Sequence, residues 1–169
     1  MIVYVILTTI FFGTLYITQQ QQLRMGANDP QIQHASDTAA QLNAGTPPNV
    51  LVTGKVNMAT SLASFTTIYD KNGRIIVSNA SLNNKIPALP DGVLGAANNK
   101  EYSAISWQPQ QGVRSATIVV AAKDYYVVSG RSLKEVEKRE SHLLYYVLFG
   151  YVLSLLIMLT IYIMKPRGR

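Results

Sequence analysis

Two long apolar segments without a single charged residue lie at the two ends of this 169-residue chain. Residues 1–18 read MIVYVILTTIFFGTLYIT, and residues 143–164 read LLYYVLFGYVLSLLIMLTIYIM. As α-helices they would be about 27 and 33 Å long, which matches a hydrocarbon core of about 30 Å. Tyrosines near both ends of the second segment are typical of a membrane interface. We therefore expect residues 1–18 and 143–164 to form two transmembrane helices.

A cleaved signal peptide is the competing interpretation of residues 1–18. Such a peptide has a basic region before its apolar run and small residues at a cleavage site after it. Here no basic residue precedes the apolar run, and four glutamines, Gln19 to Gln22, follow it. This pattern favours an uncleaved membrane anchor.

The charge pattern leaves the orientation of the two spans open. Two spans place both termini on one side of a membrane, and the basic tail at residues 165–169 indicates the cytoplasmic side. However, Lys134, Lys138 and Arg139 flank the other end of the same span. Because basic residues stand at both ends, the positive-inside rule does not choose between the two orientations.

Composition and motifs exclude several classes of function. The net charge is +6, and three of the positive charges are in the C-terminal tail, so the segment between the spans is too weakly basic to predict nucleic-acid binding. The chain has no cysteine, which excludes disulfides, thiolate metal sites and a cysteine nucleophile. It contains no nucleophile elbow, P-loop, zinc-protease motif or EF-hand loop. We therefore expect a protein without enzymatic activity, cofactor or metal.

After the polar residues 19–28, a helix is predicted to start at Asp29–Pro30 and to end before Gly45. Asp29 and Pro30 have the pattern of a helix start, in which the acid caps and the proline occupies the first turn. An apolar stripe at helical spacing follows at Ile32, Ala35, Ala39 and Leu42. Gly45 and the two prolines after it end the helix. The helix is expected to lead from the first span to the domain on which it packs.

The rest of the segment between the spans is predicted to be an antiparallel sheet. Runs rich in β-branched and aromatic residues occur at 65–69, 74–78, 102–108, 113–122 and 125–130. Asp70 to Gly73 is a hairpin turn, since glycine tolerates positive φ. Residues 79–100 form a long loop with one helical turn near 93–97, while residues 49–63 fit either a strand or a helix. The fold class is therefore α+β.

A single helix is predicted from the end of the sheet through the second span. Ser132 and Glu135 have the spacing of a capping box, and neither proline nor glycine occurs between Ser132 and Phe149. A continuous helix over residues 132–164 can transmit a displacement from the domain to the membrane, or it can serve only as a stalk.

The stretches Tyr69–Ser78 (YDKNGRIIVS) and Val127–Glu137 (VVSGRSLKEVE) resemble the extracytoplasmic PAS-like Cache (PDC) sensor domains of bacterial histidine kinases and chemoreceptors. Lys165–Pro166 is similar to the opening of a HAMP linker. The resemblance implies a PAS-like antiparallel sheet of about five strands, flanked by helices and anchored by two transmembrane helices. It also implies that residues 19–142 are extracytoplasmic, with both termini and the basic tail 165–169 on the cytoplasmic side of the cell (inner) membrane.

The output half of such receptors is missing from this sequence. His34 is followed by Ala and His142 by Leu, so neither histidine begins a phosphoacceptor box, and there is no glycine-rich ATP lid. The resemblance therefore implies either the sensing part of a truncated two-component receptor or a module that signals through a cytoplasmic or membrane partner in trans. By the same analogy, a homodimer is expected.

The expected site binds a small anionic metabolite, because arginine forks and tyrosine hydroxyls are suitable donors for such a ligand. In Cache-type domains the pocket lies between the sheet and the loop that covers it. The candidates on or beside the last three strands are Tyr102, Trp107, Arg114, Tyr125, Tyr126 and Arg131. Packing within the sheet is the other interpretation of these aromatic residues. The alternative function is a non-enzymatic protein–protein interaction module of a membrane signalling complex, without a ligand of its own.

Overall fold

A computed structural model describes residues 2–164 of the chain, so the predicted basic tail at 165–169 lies outside the described residues. The chain divides into two compact units. The helical unit consists of residues 2–24 and 136–164, and the sheet unit is Met25–Glu135. Helix α1 (Ile2–Asn43) and helix α3 (Lys134–Met164) are each continuous.

The helical unit pairs α1 with α3 through hydroxyl groups. The Tyr4 hydroxyl lies 2.8 Å from Ser154 Oγ, and Thr9 Oγ1 lies 3.0 Å from the Tyr151 hydroxyl. Because the partners of residues 4 and 9 are residues 154 and 151, the two helices run antiparallel. These two hydrogen bonds fix the register of the pair.

Close packing and one ion pair complete this helix contact. The Phe12 ring meets the Tyr151 ring edge to face, with centroids 6.0 Å apart. A Cβ atom at Gly150 would lie 3.0 Å from Phe12 Cε1, so the glycine makes room for the ring. Arg24 Nε donates to Glu140 Oε1 over 2.8 Å.

Both helices are long and apolar enough to cross a membrane, and only 6 % of the most apolar 18-residue window of each is buried. The outward side chains are large and apolar. Those at least half exposed in this unit are Ile2, Val3, Ile6, Leu7, Ile10, Phe11, Ile17, Tyr145, Tyr146, Phe149, Val152, Leu156, Ile157, Ile161, Tyr162, Ile163 and Met164.

The sheet unit contains the predicted five-stranded antiparallel sheet. The strands are β2 (Phe65–Asp70), β3 (Ile75–Ser78), β5 (Ser103–Gln110), β6 (Val113–Ala121) and β7 (Tyr125–Ser132). Their order is β3-β2-β7-β6-β5, so the first hairpin forms one edge and the last three strands form the predicted meander. The predicted strand ends lie within two residues of those observed.

Several short helices and strands complete the sheet unit, and the sequence did not predict all of them. The sequence fits either a helix or a strand over residues 49–63, and the structure has both, since helix α2 (Pro48–Leu51) is followed by strand β1 (Val56–Asn57). Strand β1 pairs in parallel with β4 (Ala80–Ser81). The predicted helical turn is the 3₁₀ turn Gly95–Ala97. A two-residue strand is too short to show a periodicity, which explains why residues 49–63 were left open between strand and helix and why β4, inside the predicted loop 79–100, was not predicted.

The predicted helix start at Asp29 is wrong, because Pro30 lies inside α1. A proline there removes the hydrogen bond to the carbonyl of Gly26, a local cost of about 3 kcal/mol. The preceding residues 19–25 (QQQQLRM) are strong helix formers and carry the helix through this position. The helix ends at Asn43, just before Gly45, which was predicted to stop it and which has a φ of 91°.

Each face of the sheet is covered by a different part of the chain. Ala35, Ala39 and Leu42, from the predicted stripe of α1, pack with Ile68, Ile118, Val120 and Val127 of the sheet. This face is called the helix face below. The opposite face is called the loop face, because residues of the loop between β4 and β5 cover it, among them Leu82, Leu89, Leu94 and Ala97.

Helix α3 begins two residues later than predicted. Strand β7 extends to Ser132, and the first helical residue is Lys134. The Ser132 hydroxyl accepts a hydrogen bond from the Lys134 amide at 3.3 Å, so the serine does satisfy a backbone donor in the first turn. Only one residue, Leu133, separates the last strand from the helix.

Candidate functional site

The loop face carries two of the six predicted site residues. Alternation along β7 and β5 places Tyr126 and Trp107 on this face, and each of them is 6 % exposed. They belong to different packed clusters, which share Leu89 as a neighbour. The face therefore has two parts, which differ in their chemistry.

The other four predicted residues lie elsewhere. Tyr125 points to the helix face, where it packs against the cluster built on α1. Arg131 Nε donates to the carbonyl of Leu62 at 2.9 Å, which ties the strand to the segment before β2. Arg114 is exposed and already engaged in another interaction. Tyr102 precedes β5 and is 37 % exposed. The structure therefore does not bring the six residues together around one pocket.

The part of the loop face around Trp107 is filled by aromatic rings. Phe65 is 2 % exposed, and its ring meets Trp107 edge to face with centroids 6.1 Å apart. The Phe65 ring also covers Gly130, where an added Cβ would lie 2.3 Å from Phe65 Cζ and 2.9 Å from Thr117 Oγ1. This packing leaves Trp107 a core residue.

The part around Tyr126 combines a buried aromatic body with polar groups. The Tyr126 hydroxyl donates to Asn98 Oδ1 over 2.7 Å, which connects β7 to the end of the 3₁₀ turn. The ammonium of Lys71 lies 4.3 Å from the centroid of the Tyr126 ring. A cation over a tyrosine face is attracted by the ring quadrupole. Tyr69, Lys71, Asn98 and Tyr126 are called the Tyr126 cluster below.

The β2–β3 hairpin places Lys71 beside this ring. Asp70 Oδ1 accepts hydrogen bonds from the amides of Asn72 and Arg74, both at 2.8 Å. Gly73 has a φ of 79°, as the predicted turn requires. Tyr69, the last apolar residue before the turn, is the register partner of Tyr126 on β7. The turn therefore holds Lys71 next to the neighbouring strand.

Burial also affects the second phenol of the cluster. Tyr69 is 5 % exposed, and desolvation raises its pKa to about 12. A tyrosine phenol is protonated at neutral pH with or without this shift, and it can donate a hydrogen bond. A phenol, an amide and an ammonium together offer donors and positive charge, which is the chemistry that binds a carboxylate or another small anion.

Of the residues in the Tyr126 cluster, Tyr126 was predicted from the sequence as a site residue, whereas Lys71 and Asn98 were not. Lys71 was assigned to the hairpin turn, and the signal that could have found it is its position after Tyr69, opposite Tyr126 in an antiparallel pair. Asn98 has no comparable signal, because its position depends on how the 3₁₀ turn folds onto the sheet.

No group of three histidine or acidic side chains that could hold a metal ion occurs within residues 2–164. Comparisons of the chain with protein-family models, with curated proteins and with solved structures returned no match.

Proposed function

We propose that this protein is a membrane-anchored extracytoplasmic sensor module with a PAS-like domain. The module binds a small anionic ligand at the Tyr126 cluster and passes a displacement through α3. The observation that carries the proposal is the position of Lys71 and Asn98, which approach one buried tyrosine from two different loops.

The surface of the helical unit supports the membrane anchor. Large apolar side chains cover both helices, and soluble proteins rarely expose a contiguous apolar patch of more than a few hundred Å². The hydroxyl pairs Tyr4–Ser154 and Thr9–Tyr151 face the partner helix, where they satisfy polar groups that lipid cannot solvate. Arg24 and Glu140 pair beyond the uncharged segments, where ions can contact water.

The order of elements supports the PAS-like identity. The resemblance rests on a first hairpin, a loop with a helical turn, a three-strand meander and an exit helix. The structure contains these elements in this order and joins the first hairpin to the last strand through the β2–β7 pair. The loop covers one face of the sheet, as in a domain that encloses a ligand there.

The connection from β7 to α3 supports transmission. Tyr126 lies on β7, and the chain enters α3 one residue after this strand ends. A ligand that changes the contacts of Tyr126 therefore acts on the strand that leads into the helix. For transmission, the ligand must bind two conformations with different affinities.

Binding can be tested on the full chain in lipid nanodiscs. Trp107 is the only tryptophan and lies in the sheet core, so its fluorescence reports unfolding of the sheet unit in the intact protein. The probes are acetate, citrate, the acidic and neutral amino acids, and inorganic phosphate. A specific binder at 100 times its Kd stabilises the fold by about 2.7 kcal/mol, which raises the unfolding midpoint clearly.

Lys71→Met supplies the site-specific arm of the experiment, and Lys85→Met is the matched control at another exposed lysine. We expect Lys71→Met to abolish the ligand-induced shift and Lys85→Met to preserve it. If no probe shifts the midpoint, the small-ligand proposal fails and the protein–protein interaction module replaces it. A shift that survives in Lys71→Met would place the ligand away from the Tyr126 cluster.

A further inference from the structure

The two edges of the five-stranded sheet differ in length and regularity. Strand β3 forms one edge with only four residues, and its pairing with β2 shifts register between Ile68 and Tyr69. A bulge of this kind twists an edge and makes it a poor template for another strand. Strand β5 forms the other edge with eight residues.

Strand β5 has none of the charged side chains that commonly protect a sheet edge. Its sequence, SAISWQPQ, contains no lysine, arginine or acid. Pro109 and a register shift between Trp107 and Gln110 confine the regular part to Ser103–Trp107. Among the described residues, only β6 forms backbone hydrogen bonds with this strand. Its free edge is therefore a regular five-residue template.

The side chains along this edge allow another strand to approach closely. Ala104 and Ser106 are exposed and small, while Trp107 is buried in the core of the loop face. Any strand that pairs here therefore meets backbone groups and the small side chains of Ala104 and Ser106.

We propose that the β5 edge, Ser103–Trp107, pairs antiparallel with the same edge of a second copy of this chain, so that two sheets join across a twofold axis. An uncharged strand can pair with itself because no like charges come to face each other. When the β5 edges of two copies pair with each other, both edges are used and the assembly stops at a dimer. Pairing of β5 with the bulged β3 edge of the next copy would instead build an open filament.

Membrane anchoring gives a physical reason why the strand that pairs with β5 comes from a second copy of this chain. In this respect the inference rests on the proposed function. Two chains confined to one membrane have a high effective concentration for each other. A contact of only five residues per strand then suffices for association that would be too weak in solution. The contact itself does not depend on any ligand.

The absence of native cysteine makes a cross-linking test direct. Ala104→Cys and Ser106→Cys are introduced separately into the full chain, reconstituted in liposomes, and oxidised both singly and as a mixture of the two variants. Ile76→Cys on the opposite edge is the control, since this side chain is 45 % exposed. We expect disulfide-linked dimers at β5, with a yield at least tenfold above that of Ile76→Cys. Equal yields at both edges would overturn the proposal.

A charge substitution provides the second arm. Ser106→Lys places two ammonium groups near each other across the twofold axis, and we expect it to lower the dimer fraction in nanodiscs at least tenfold. Ile76→Lys, the matched change on β3, is expected to leave that fraction unchanged. Folding of both variants is checked by Trp107 fluorescence. A folded Ser106→Lys variant that remains dimeric, or a monomeric wild-type protein, would overturn the β5 contact without affecting the ligand-binding proposal.

Discussion

At the scale of single residues, Gly130 shows how closely the loop face is packed. The Phe65 ring occupies the position in which any side chain at residue 130 would begin. Gly130→Ala therefore forces the ring to move against Trp107, and we expect a loss of about 1–3 kcal/mol in the free energy of unfolding. Urea unfolding followed by Trp107 fluorescence measures this loss. Gly95→Ala is the control, because nothing lies within 4 Å of its added Cβ, and an equal loss in both variants would contradict the explanation.

Gln31 is a buried polar residue on the helix face. It is 1 % exposed, and its Oε1 accepts a hydrogen bond from Ser129 Oγ at 2.9 Å, while its Nε2 has no hydrogen-bond partner among residues 2–164. Ser129→Ala removes the remaining bond, and we expect it to destabilise the sheet unit by about 1–3 kcal/mol. The double variant Gln31→Met with Ser129→Ala removes both polar partners. It should unfold at a urea concentration no lower than the wild type, and a midpoint as low as that of Ser129→Ala, or anywhere below the wild type, would refute this account.

Tyr69 makes stability depend on pH in the alkaline range. Because burial raises its pKa from 10 to about 12, the folded state holds the phenolic proton more tightly than the unfolded state. Its contribution is complete below pH 10 and is lost as the pH rises toward 12, by on the order of 2 kcal/mol. Unfolding midpoints at pH 9 and 11.5 measure the loss. Tyr69→Phe should show a smaller decrease, because the phenol whose pKa is raised by burial is then absent; an identical decrease would argue against this role.

The residues of the candidate site could be predicted from the sequence only in part. Alternation along β7 separates Tyr125 from Tyr126, but it does not show which of the two faces the loop. That choice depends on α1, whose stripe of Ala35, Ala39 and Leu42 takes the side of Tyr125. Asn98 reaches Tyr126 across 28 residues of chain, and no local pattern encodes a contact of this separation.

At the scale of elements, the strands could be predicted well because their signals are local. The β-branched runs and the turn residues of each hairpin lie close together in the sequence, and the structure has strands and turns at these positions. Helix α1 was harder, because the signal of Asp29 and Pro30 for a helix start competes with strong helix formers on both sides. The β1–β4 pair joins residues more than twenty positions apart and was not foreseen.

The β2–β3 hairpin gives a prediction for this scale. Gly73 has a φ of 79°, and a β-branched residue is strained in that conformation. We expect Gly73→Val to destabilise the sheet unit by more than 1 kcal/mol and to displace Lys71 from Tyr126. Gly73→Asn is the graded control, because asparagine tolerates positive φ better. Equal urea midpoints for the two variants would contradict the turn conformation.

At the scale of the whole molecule, the proposed anchoring requires that residues between the two spans lie on the opposite side of the membrane from the C-terminus. The charges leave the orientation open, and the proposed function requires the C-terminus on the cytoplasmic side. The absence of native cysteine allows a direct test. Val50→Cys lies on α2 with 66 % of its native side chain exposed, and Arg167→Cys lies in the basic tail.

In intact bacterial cells, a membrane-impermeant maleimide should label Val50→Cys and leave Arg167→Cys unlabelled, because the reagent cannot enter the cytoplasm. Permeabilised cells provide the control, in which both variants should react. Labelling of Arg167→Cys alone would reverse the orientation, so that the Tyr126 cluster would meet cytoplasmic solutes. Labelling of both variants in intact cells would mean that α3 does not cross the membrane. In that case α3 could not carry a displacement to the cytoplasm, and the sensor proposal would lose its route of transmission.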